Sequence, residues 1–374
     1  MPASASAFDA AAILGHIRRW VEHESPSGNV AAVNAMADMV AADYAGLPVT
    51  LERVAGTAGC ADHLVVRSTW GQDRPGILVL SHTDTVHPVG FLKRLPFSVE
   101  GDVAFGPGIY DMKGGMCLAL HAFRAVAASG TPLGITHLCV SDEEIGSPSS
   151  RPLIEKLGAK AKYVLVTEPA REGGKIVIGR KATGNFTVTI RGRASHAGTR
   201  PQDGRSAIRE LAHVILTLDA MNDPANGITV TTGMVKGGTR PNVIPELAVA
   251  EVDVRMPTMA QADALIPRIL GLTPVTPDVT IIITGGLNRP PFEQSAASEA
   301  LFYQAHALAR EIGFDLEGMV SGGGSDGNFT ARMAATLDGL GIDGKGAHTD
   351  YEQALVSSIV PRATLLKRLF ETLS

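Results

Sequence analysis

The sequence predicts an α/β protein in two parts: a body built on a mostly parallel sheet with helices on both faces, and an α+β domain inserted into it. Three observations carry this. At 374 residues the chain exceeds the roughly 250–300 residues at which a single hydrophobic core stops growing. Short apolar runs alternate with stretches of helical period, the grammar of a buried parallel sheet. That grammar breaks near Gly179 and returns after Arg289-Pro290-Pro291, which divides the chain into a body over 1–179 and 289–374 and an insert over 180–288.

In order along the chain, the amphipathic stretch before Glu24 has helical period, and Gly76–Ser81, Gly134–Val140 and Tyr163–Val166 are short apolar runs that read as buried strands. Met112–Ala128 has helical length. In the insert, Asn185–Arg191, Ile228–Lys236 and Leu247–Met256 alternate as strands, separated by helical stretches at Asp203–Met221 and Met259–Leu270. The first of these places Ile208, Leu211, Ile215 and Leu218 on one stripe, with Arg205, Arg209 and Glu210 pointing elsewhere. After the prolines come a helix over Ser295–Glu311, a glycine-rich loop at Gly322–Gly324, and a last helix opening at Pro361 with Leu366, Leu369, Phe370 and Leu373 as its apolar stripe.

Composition excludes several classes. With 45% hydrophobic residues, 19% charged residues and a net charge of -5, neither a disordered chain nor a nucleic-acid binder is expected. No stretch reaches the roughly 18 apolar residues that span a bilayer, and Met1 to Trp20 holds no apolar core of the kind a secretory signal needs. Cys60, Cys117 and Cys139 are an odd number without C-x-x-C spacing, which reads as reduced buried thiols. The expectation is a cytoplasmic protein that does not engage membranes.

The polar residues at the strand ends carry the chemistry. Ile77-Leu78-Val79-Leu80 delivers Ser81-His82-Thr83-Asp84 at its carboxyl end, where open α/β sheets collect ligands. Gly106-Pro107-Gly108-Ile109-Tyr110-Asp111-Met112-Lys113-Gly114-Gly115 is a turn-rich approach to a carboxylate at the start of a helix; an N-cap aspartate is the plainer reading of Asp111 alone. Ser141-Asp142-Glu143-Glu144 sets three acids beside a buried strand, an arrangement disfavoured by mutual repulsion unless cations neutralise it. Glu168 follows another strand, and His348 stands in Gly346-Ala347-His348-Thr349-Asp350. Two imidazoles and several carboxylates on one sheet rim, without thiolates, suit zinc, with cobalt or manganese as substitutes.

The ordered set His82-x-Asp84, Asp111-Met112-Lys113-Gly114-Gly115, Glu143-Glu144, Glu168 and His348 resembles the co-catalytic di-zinc family of glutamate carboxypeptidases, aminoacylases, acetylornithine deacetylase and succinyl-diaminopimelate desuccinylase. The match runs over nearly the whole chain. The resemblance implies a zinc-peptidase body, two zinc ions per subunit bridged by Asp111, with His82 and Glu168 completing one site and Glu144 and His348 the other. It implies that Asp84 accepts the second ring N–H of His82 and fixes its tautomer, that the bond after Asp111 is cis, and that Glu143 is the general base. It makes the insert a ferredoxin-like dimerisation or lid domain. There Gly192-Arg193-Ala194-Ser195-His196-Ala197-Gly198 would supply His196 to a partner subunit's oxyanion, assisted by Asn242 of Gly238-Thr239-Arg240-Pro241-Asn242.

For substrate, the resemblance implies an amide next to a carboxylate. Arg255 aligns with a carboxylate-binding arginine of many relatives, and Gly323 and Gly324 of Ser321-Gly322-Gly323-Gly324-Ser325 would bring backbone N–H donors, with a flexible turn as the alternative. Lys175 and Arg289 stand where the folate-hydrolysing glutamate carboxypeptidases bind the glutamate product, with surface ion pairs as the alternative. The expectation is release of a C-terminal glutamate or similar residue from an N-acyl, peptide or folate-like substrate. A deacylase of the ornithine or diaminopimelate type is the rival within the scaffold, and a nonenzymatic carboxylate-binding protein is the rival outside it. A dinucleotide fingerprint fails because Asp111 takes the third glycine place of G-x-G-x-x-G.

Overall fold

A computed structural model describes residues 8–171 and 173–374. The first seven residues, on which part of the reading of the N-terminus rests, lie outside them. The chain forms two units, one holding the described residues up to Gly179 together with Gln294–Val320 and Ser325–Ser374, the other Arg180–Glu293 with Ser321–Gly324. The second unit therefore reaches five residues beyond 288 and also takes in the glycine-rich loop.

The first unit opens with helices α1 (Ala10–Val21), capped by the Asp9 carboxylate, and α2 (Val30–Tyr44), capped by Asn29. Its sheet gathers β1 (Val49–Val54), β2 (His63–Ser68), β3 (Ile77–His82), β4 (Ile135–Val140), β5 (Tyr163–Val166) and the strand Ala335–Leu337, in the spatial order β1-β2-β4-β3-β5 and then the last. The pairings β4–β3, β3–β5 and β5 with 335–337 are parallel, whereas β1–β2 and β2–β4 are antiparallel. The sheet is thus mixed, and the mostly parallel expectation holds only for the half that carries the ligands. The reason is local: β1 and β2 are joined by an eight-residue loop too short for a crossover, so they fold back on each other.

Helices α3 (Gly114–Val126) and Ile359–Thr372 pack together in the larger core, with Leu118, Phe123, Leu366 and Phe370 fully enclosed. The last helix begins at Ile359, so Pro361 sits in its first turn and not at its first position. A separate cluster around Leu78, Leu80, Val140 and Val164 lies under α4 (Arg151–Gly158) with Ile154.

Within this core one histidine is silent. His137 is 1% exposed, with Nδ1 2.7 Å from the Tyr44 hydroxyl and Nε2 2.7 Å from the Ser81 hydroxyl. Burial pushes its pKa down to about 3. Between that value and its ordinary pKa the unfolded chain binds a proton that the folded one refuses, so stability is intact above about pH 6.5 and falls as pH drops toward 3. At pH 5 the expected loss is about 2 kcal/mol. Urea midpoints at pH 7 and pH 5 read it directly, and His137→Gln should shrink the difference; an equal pH difference in the variant would remove His137 as its cause.

The second unit is a four-stranded antiparallel sheet of β6 (Ala182–Arg191), β7 (Thr229–Gly237), β8 (Leu247–Met256) and β9 (Thr280–Arg289), in the order β7-β8-β6-β9. Helices α5 (Ala207–Asp219) and α6 (Met259–Leu270) cover one face, where Phe186, Val188, Val252 and Val254 meet Leu211, Leu218 and Leu265. Two expectations for α5 are corrected. Ile208 is 44% exposed, and Glu210 is buried with its carboxylate accepting from the N–H groups of Val275 (2.8 Å) and Thr276 (2.9 Å). Periodicity cannot see such a tie, because its donors lie sixty-five residues away in a loop.

Candidate metal centre

The register of the parallel strands builds the rim. His82 pairs with Val140, and Leu80 with Val166, so β3, β4 and β5 end side by side. Main-chain bonds from Thr83 N–H to the Val140 carbonyl (2.8 Å) and from Thr167 N–H to the Leu80 carbonyl (3.0 Å) hold the departing loops against each other. His82, Glu143, Glu144 and Glu168 therefore leave the sheet at one edge.

Asp111 arrives from another direction. The bond between Asp111 and Met112 is cis, as the resemblance implies, and a wide helical turn over Ile109–Lys113 leads into α3. A Cβ at Gly115 would lie 1.9 Å from the Thr167 carbonyl oxygen, so only glycine lets the start of α3 seat against the segment that ends in Glu168. His348 completes the set from a turn in which its own φ is 64°, a left-handed conformation that histidine adopts more readily than bulkier residues.

The two oxygens of Asp111 face one imidazole each. Oδ1 is 3.4 Å from His82 Nε2, and Oδ2 is 3.4 Å from His348 Nε2. Glu168 Oε1 stands 3.8 Å from His82 Nε2, and Glu144 Oε2 stands 3.1 Å from His348 Nε2. Donors bound about 2.0–2.2 Å from a common ion lie roughly 3.3 Å apart, so these spacings suit two cations sharing Asp111. Glu144 Oε1 is buried with no hydrogen-bond partner, an orphan that a cation would satisfy. The donor set therefore fits zinc, cobalt or manganese. Glu143 offers an oxygen within 4.8 Å of the His82 and Glu168 donor atoms.

Electrostatics agree with the geometry. Burial drives Glu168 well above the ordinary carboxylate range, with negative Asp111 and Glu143 adding to it, and burial raises Glu144 as well. Burial alone would raise Asp111, but hydrogen bonds with His348 and His82 hold it well below its usual value. Hydrogen bonds with Asp111 and Glu144 lift His348 to about 11. The protein thus assembles several buried carboxylates against two imidazoles, an excess of negative charge that suits divalent cations.

Asp84 faces His82 Nδ1 with both its main-chain carbonyl and its carboxylate. His82 Nδ1 is 2.9 Å from the Asp84 main-chain carbonyl and 3.5 Å from its carboxylate. The carboxylate is already taken: it accepts from Ser27 Oγ (2.7 Å) and from the N–H groups of Glu143 (3.3 Å) and Glu144 (3.2 Å). Asp84 thus holds the His82 ring through its carbonyl, with its carboxylate at longer range, and also fixes the backbone of the two glutamates. Asp142, the first of the three acids, turns away to accept from Ser149 N–H (2.6 Å) and Ser150 N–H (3.1 Å).

Sequence reasoning missed four residues here. Glu352 is fully buried and its carboxylate accepts from the N–H groups of Gly108 (2.8 Å), Tyr110 (3.0 Å) and Asp111 (2.9 Å), with His87 Nε2 at 2.7 Å. Lys113 is buried, donates to the carbonyls of Trp20 (3.1 Å) and His23 (2.6 Å), and is pulled down to about 7 by burial. Arg171 stands 3.9 Å from Glu168. Lys113 stands inside the Asp111-Met112-Lys113-Gly114-Gly115 motif without a role read for it, Glu352 has as its signal a place four residues after His348, and no motif announces Arg171. The fourth is Arg180, in the second unit.

Lys175 is paired with Glu317 at 3.0 Å, the surface-pair alternative that its sequence left open. In the second unit, Arg255 and Arg289 are both register partners of Thr183 on the strands either side of β6, so the three make one cross-strand row. A Cβ at Gly324 would come 2.8 Å from Arg289 Cδ, and buried Arg180 donates to the Gly323 carbonyl (3.1 Å). Arg255 forms a two-point contact with Asp253 at 2.8 and 2.7 Å. A two-residue bridge joins Ser195-His196 to Val243-Ile244, and Ala197 N–H donates to the Asn242 carbonyl (3.0 Å). His196 is exposed, and its Nδ1 accepts from the N–H groups of Gly198 (3.1 Å) and Thr199 (3.2 Å), which leaves the proton on outward-facing Nε2.

A further His16, Cys117 and His121 group has metal-ligand types within 4.8 Å. Its polar atoms already answer one another: His16 Nε2 is 2.9 Å from Asp43 and its Nδ1 is 3.1 Å from His121 Nε2.

Comparison with known proteins places these features in context. The model of peptidase family M20/M25/M40 matches residues 78–372. The chain is 32% identical to carboxypeptidase G2 of Pseudomonas sp. (strain RS-16), over 94% of this chain and 86% of that one. It is 25% identical to a succinyl-diaminopimelate desuccinylase of Ehrlichia ruminantium (strain Welgevonden), over 81% and 84%. Among solved structures, a tripeptidase of Staphylococcus aureus shares the fold at TM-score 0.81 and 20% identity, covering 97% of this chain and 98% of that one. An M20 family metallo-carboxypeptidase of Sulfolobus solfataricus does so at 0.75 and 16%, covering 96% and 98%.

Proposed function

This chain belongs to peptidase family M20/M25/M40, and from that premise we propose that it releases a C-terminal glutamate, or a similar acidic residue, from an N-acyl or peptide substrate with two zinc ions. The observation that carries the proposal is Asp111, whose two oxygens each face a different imidazole at 3.4 Å. His82, Asp111 and Glu168 would hold one ion, and Glu144, Asp111 and His348 the other. Bound cations supply Lewis acidity at the amide carbonyl and a water acidified toward neutral pKa.

The remaining work falls to the chain itself. Glu143, held by the Asp84 carboxylate through its N–H at 3.3 Å, takes the proton of the attacking water and passes it to the leaving nitrogen. His196, with its Nε2–H outward, and Asn242 donate to the oxyanion from a partner subunit. Within the second unit, the row of Arg255 and Arg289 with the Gly323–Gly324 backbone and Arg180 recognises a substrate carboxylate. A homodimer through the second unit is supported by edge strand β7, where Met234 and Val235 are exposed beside Leu247. A cytoplasmic site of action rests on three free cysteines. No helix among the described residues is long and apolar enough to cross a membrane.

The test is a panel of amides differing only in the leaving residue, Glu, Asp, Ala, Leu or Lys, hydrolysed by zinc-loaded protein. Arg289→Ala should lower the Glu-to-Leu ratio of kcat/KM by about 10–100-fold, the worth of one charge-assisted contact. A preference for Lys over Glu would replace this reading with the deacylase, which the desuccinylase likeness keeps in view.

A further inference from the structure

At the opposite end of the parallel strands from the metal centre, a cavity of about 460 Å³ lies within the first unit. Its floor is a cross-strand row: Arg67 of β2 is the register partner of Thr136 of β4, which is in turn the partner of Leu78 of β3. The row lies on the sheet face that α4 covers, where Leu78 and Leu80 meet Ile154. One wall is the carboxyl end of α4, with Lys156, Leu157 and, just beyond it, Lys160; the other is the turn before β3, with Arg74 and Gly76. Leu78 stands four residues before His82, about 13 Å along an extended strand, so this cavity is separate from the ligand set.

Charge sets the cavity apart. The chain carries a net charge of -5, yet Arg67, Arg74, Lys156 and Lys160 line one hollow, and Glu52 is the single acid among its lining residues. Glu52 answers Arg67 at 2.5 Å. Arg74 donates to the Pro132 carbonyl, which orients its guanidinium without neutralising it. Lys156 and Lys160 are exposed and four residues apart, a like-charge spacing that is unfavourable on a helix by itself. The negative end of the helix dipole accounts for Lys156 in the last turn of α4. It does not account for two arginines that arrive from β2 and from the turn before β3. Cations converging from three separate elements on one hollow focus a positive potential there.

The rim is preformed. Gly134 N–H donates to the Gly71 carbonyl (3.1 Å), Ile77 N–H to the Gly134 carbonyl (2.9 Å) and Lys162 N–H to the Gly76 carbonyl (2.8 Å). A Cβ at Gly76 would lie 2.4 Å from the Gly134 carbonyl oxygen, so glycine lets the two strand starts close on each other. No aromatic side chain stands among the lining residues, so the hollow has no platform on which a nucleobase would stack.

We propose that this cavity binds a compact polyanion carrying two or more phosphate or carboxylate groups, held by Lys156, Lys160, Arg74 and Arg67 with the Thr136 hydroxyl. The carbon skeleton of such a ligand rests on Leu78 and Leu157. The site is independent of amide hydrolysis and stands or falls without it.

Zinc-loaded full-length protein is titrated calorimetrically with pyrophosphate and, in a separate arm, with tricarballylate. The double variant Lys156→Ala/Lys160→Ala should weaken binding by about 10-fold or more, the worth of a charge-assisted contact. Glu52→Gln removes the competing acid and should tighten binding by about 2–5-fold. The replaced side chains are all exposed, so the fold is not at stake. Pyrophosphate also engages zinc, but that contribution is common to the native protein and both variants. Equal affinity in all three therefore overturns the proposal, and so does an absence of binding in both arms. Weakening by the lysine pair without tightening by Glu52→Gln overturns the assignment of Arg67 to the site. Binding of pyrophosphate alone assigns the site to phosphate compounds, and binding of tricarballylate alone to polycarboxylates.

Discussion

Replacing Glu143 by Gln should leave both metal ions in place while slowing turnover by roughly 10²–10⁴-fold, the span a positioned acid–base group supplies. The side chain is half-buried, and its backbone N–H is fixed on the Asp84 carboxylate beside that of Glu144. Its oxygen nevertheless comes within 4.8 Å of the His82 and Glu168 donor atoms, so geometry alone would also allow it to be a ligand. Gln keeps the shape and one carbonyl oxygen but cannot carry a proton. Metal content by atomic absorption separates the roles: two ions with lost turnover marks a base, whereas one ion marks a ligand and sinks the assignment. KM should change little, because the substrate contacts are elsewhere.

How much of this was legible beforehand follows from where the information lies. That His82, Glu144 and Glu168 would gather could be read beforehand because each stands at or shortly after the end of an apolar run, and a parallel sheet delivers such residues to one edge whatever its packing details. Asp111 and His348 needed the family pattern, since the turn before α3 and the turn around Gly346 have no periodicity to read. The antiparallel half of the sheet has no counterpart in the sequence reading, which names no strand over Val49–Val54 or His63–Ser68, and the short loop joining these two turns them back on each other. Glu210 was read only as pointing away from the apolar stripe, and it is a buried acceptor for a distant loop. For Glu210 the missing information is a side chain bonding to backbone far away in sequence, which no local window contains.

Glu352 is the sharpest instance, and its removal should cost more than that of any residue outside the ligand set. Its carboxylate satisfies three N–H groups of one loop, those of Gly108, Tyr110 and Asp111, and also holds His87. In Glu352→Ala these donors are left buried without an acceptor, each at about 1–3 kcal/mol. A destabilisation of about 3 kcal/mol or more should follow. Freed of its clamp, the Asp111 backbone no longer holds both carboxylate oxygens toward the two imidazoles, so zinc affinity should fall by about 10–100-fold, as when outer partners of a metal ligand are removed. Glu352→Gln retains one carbonyl acceptor and should recover part of both losses. Chelator competition gives the affinity and urea unfolding the stability. A purely packing role predicts that Glu352→Ala loses stability while zinc dissociation stays at the native value, and that result would remove Glu352 from the machinery that positions Asp111.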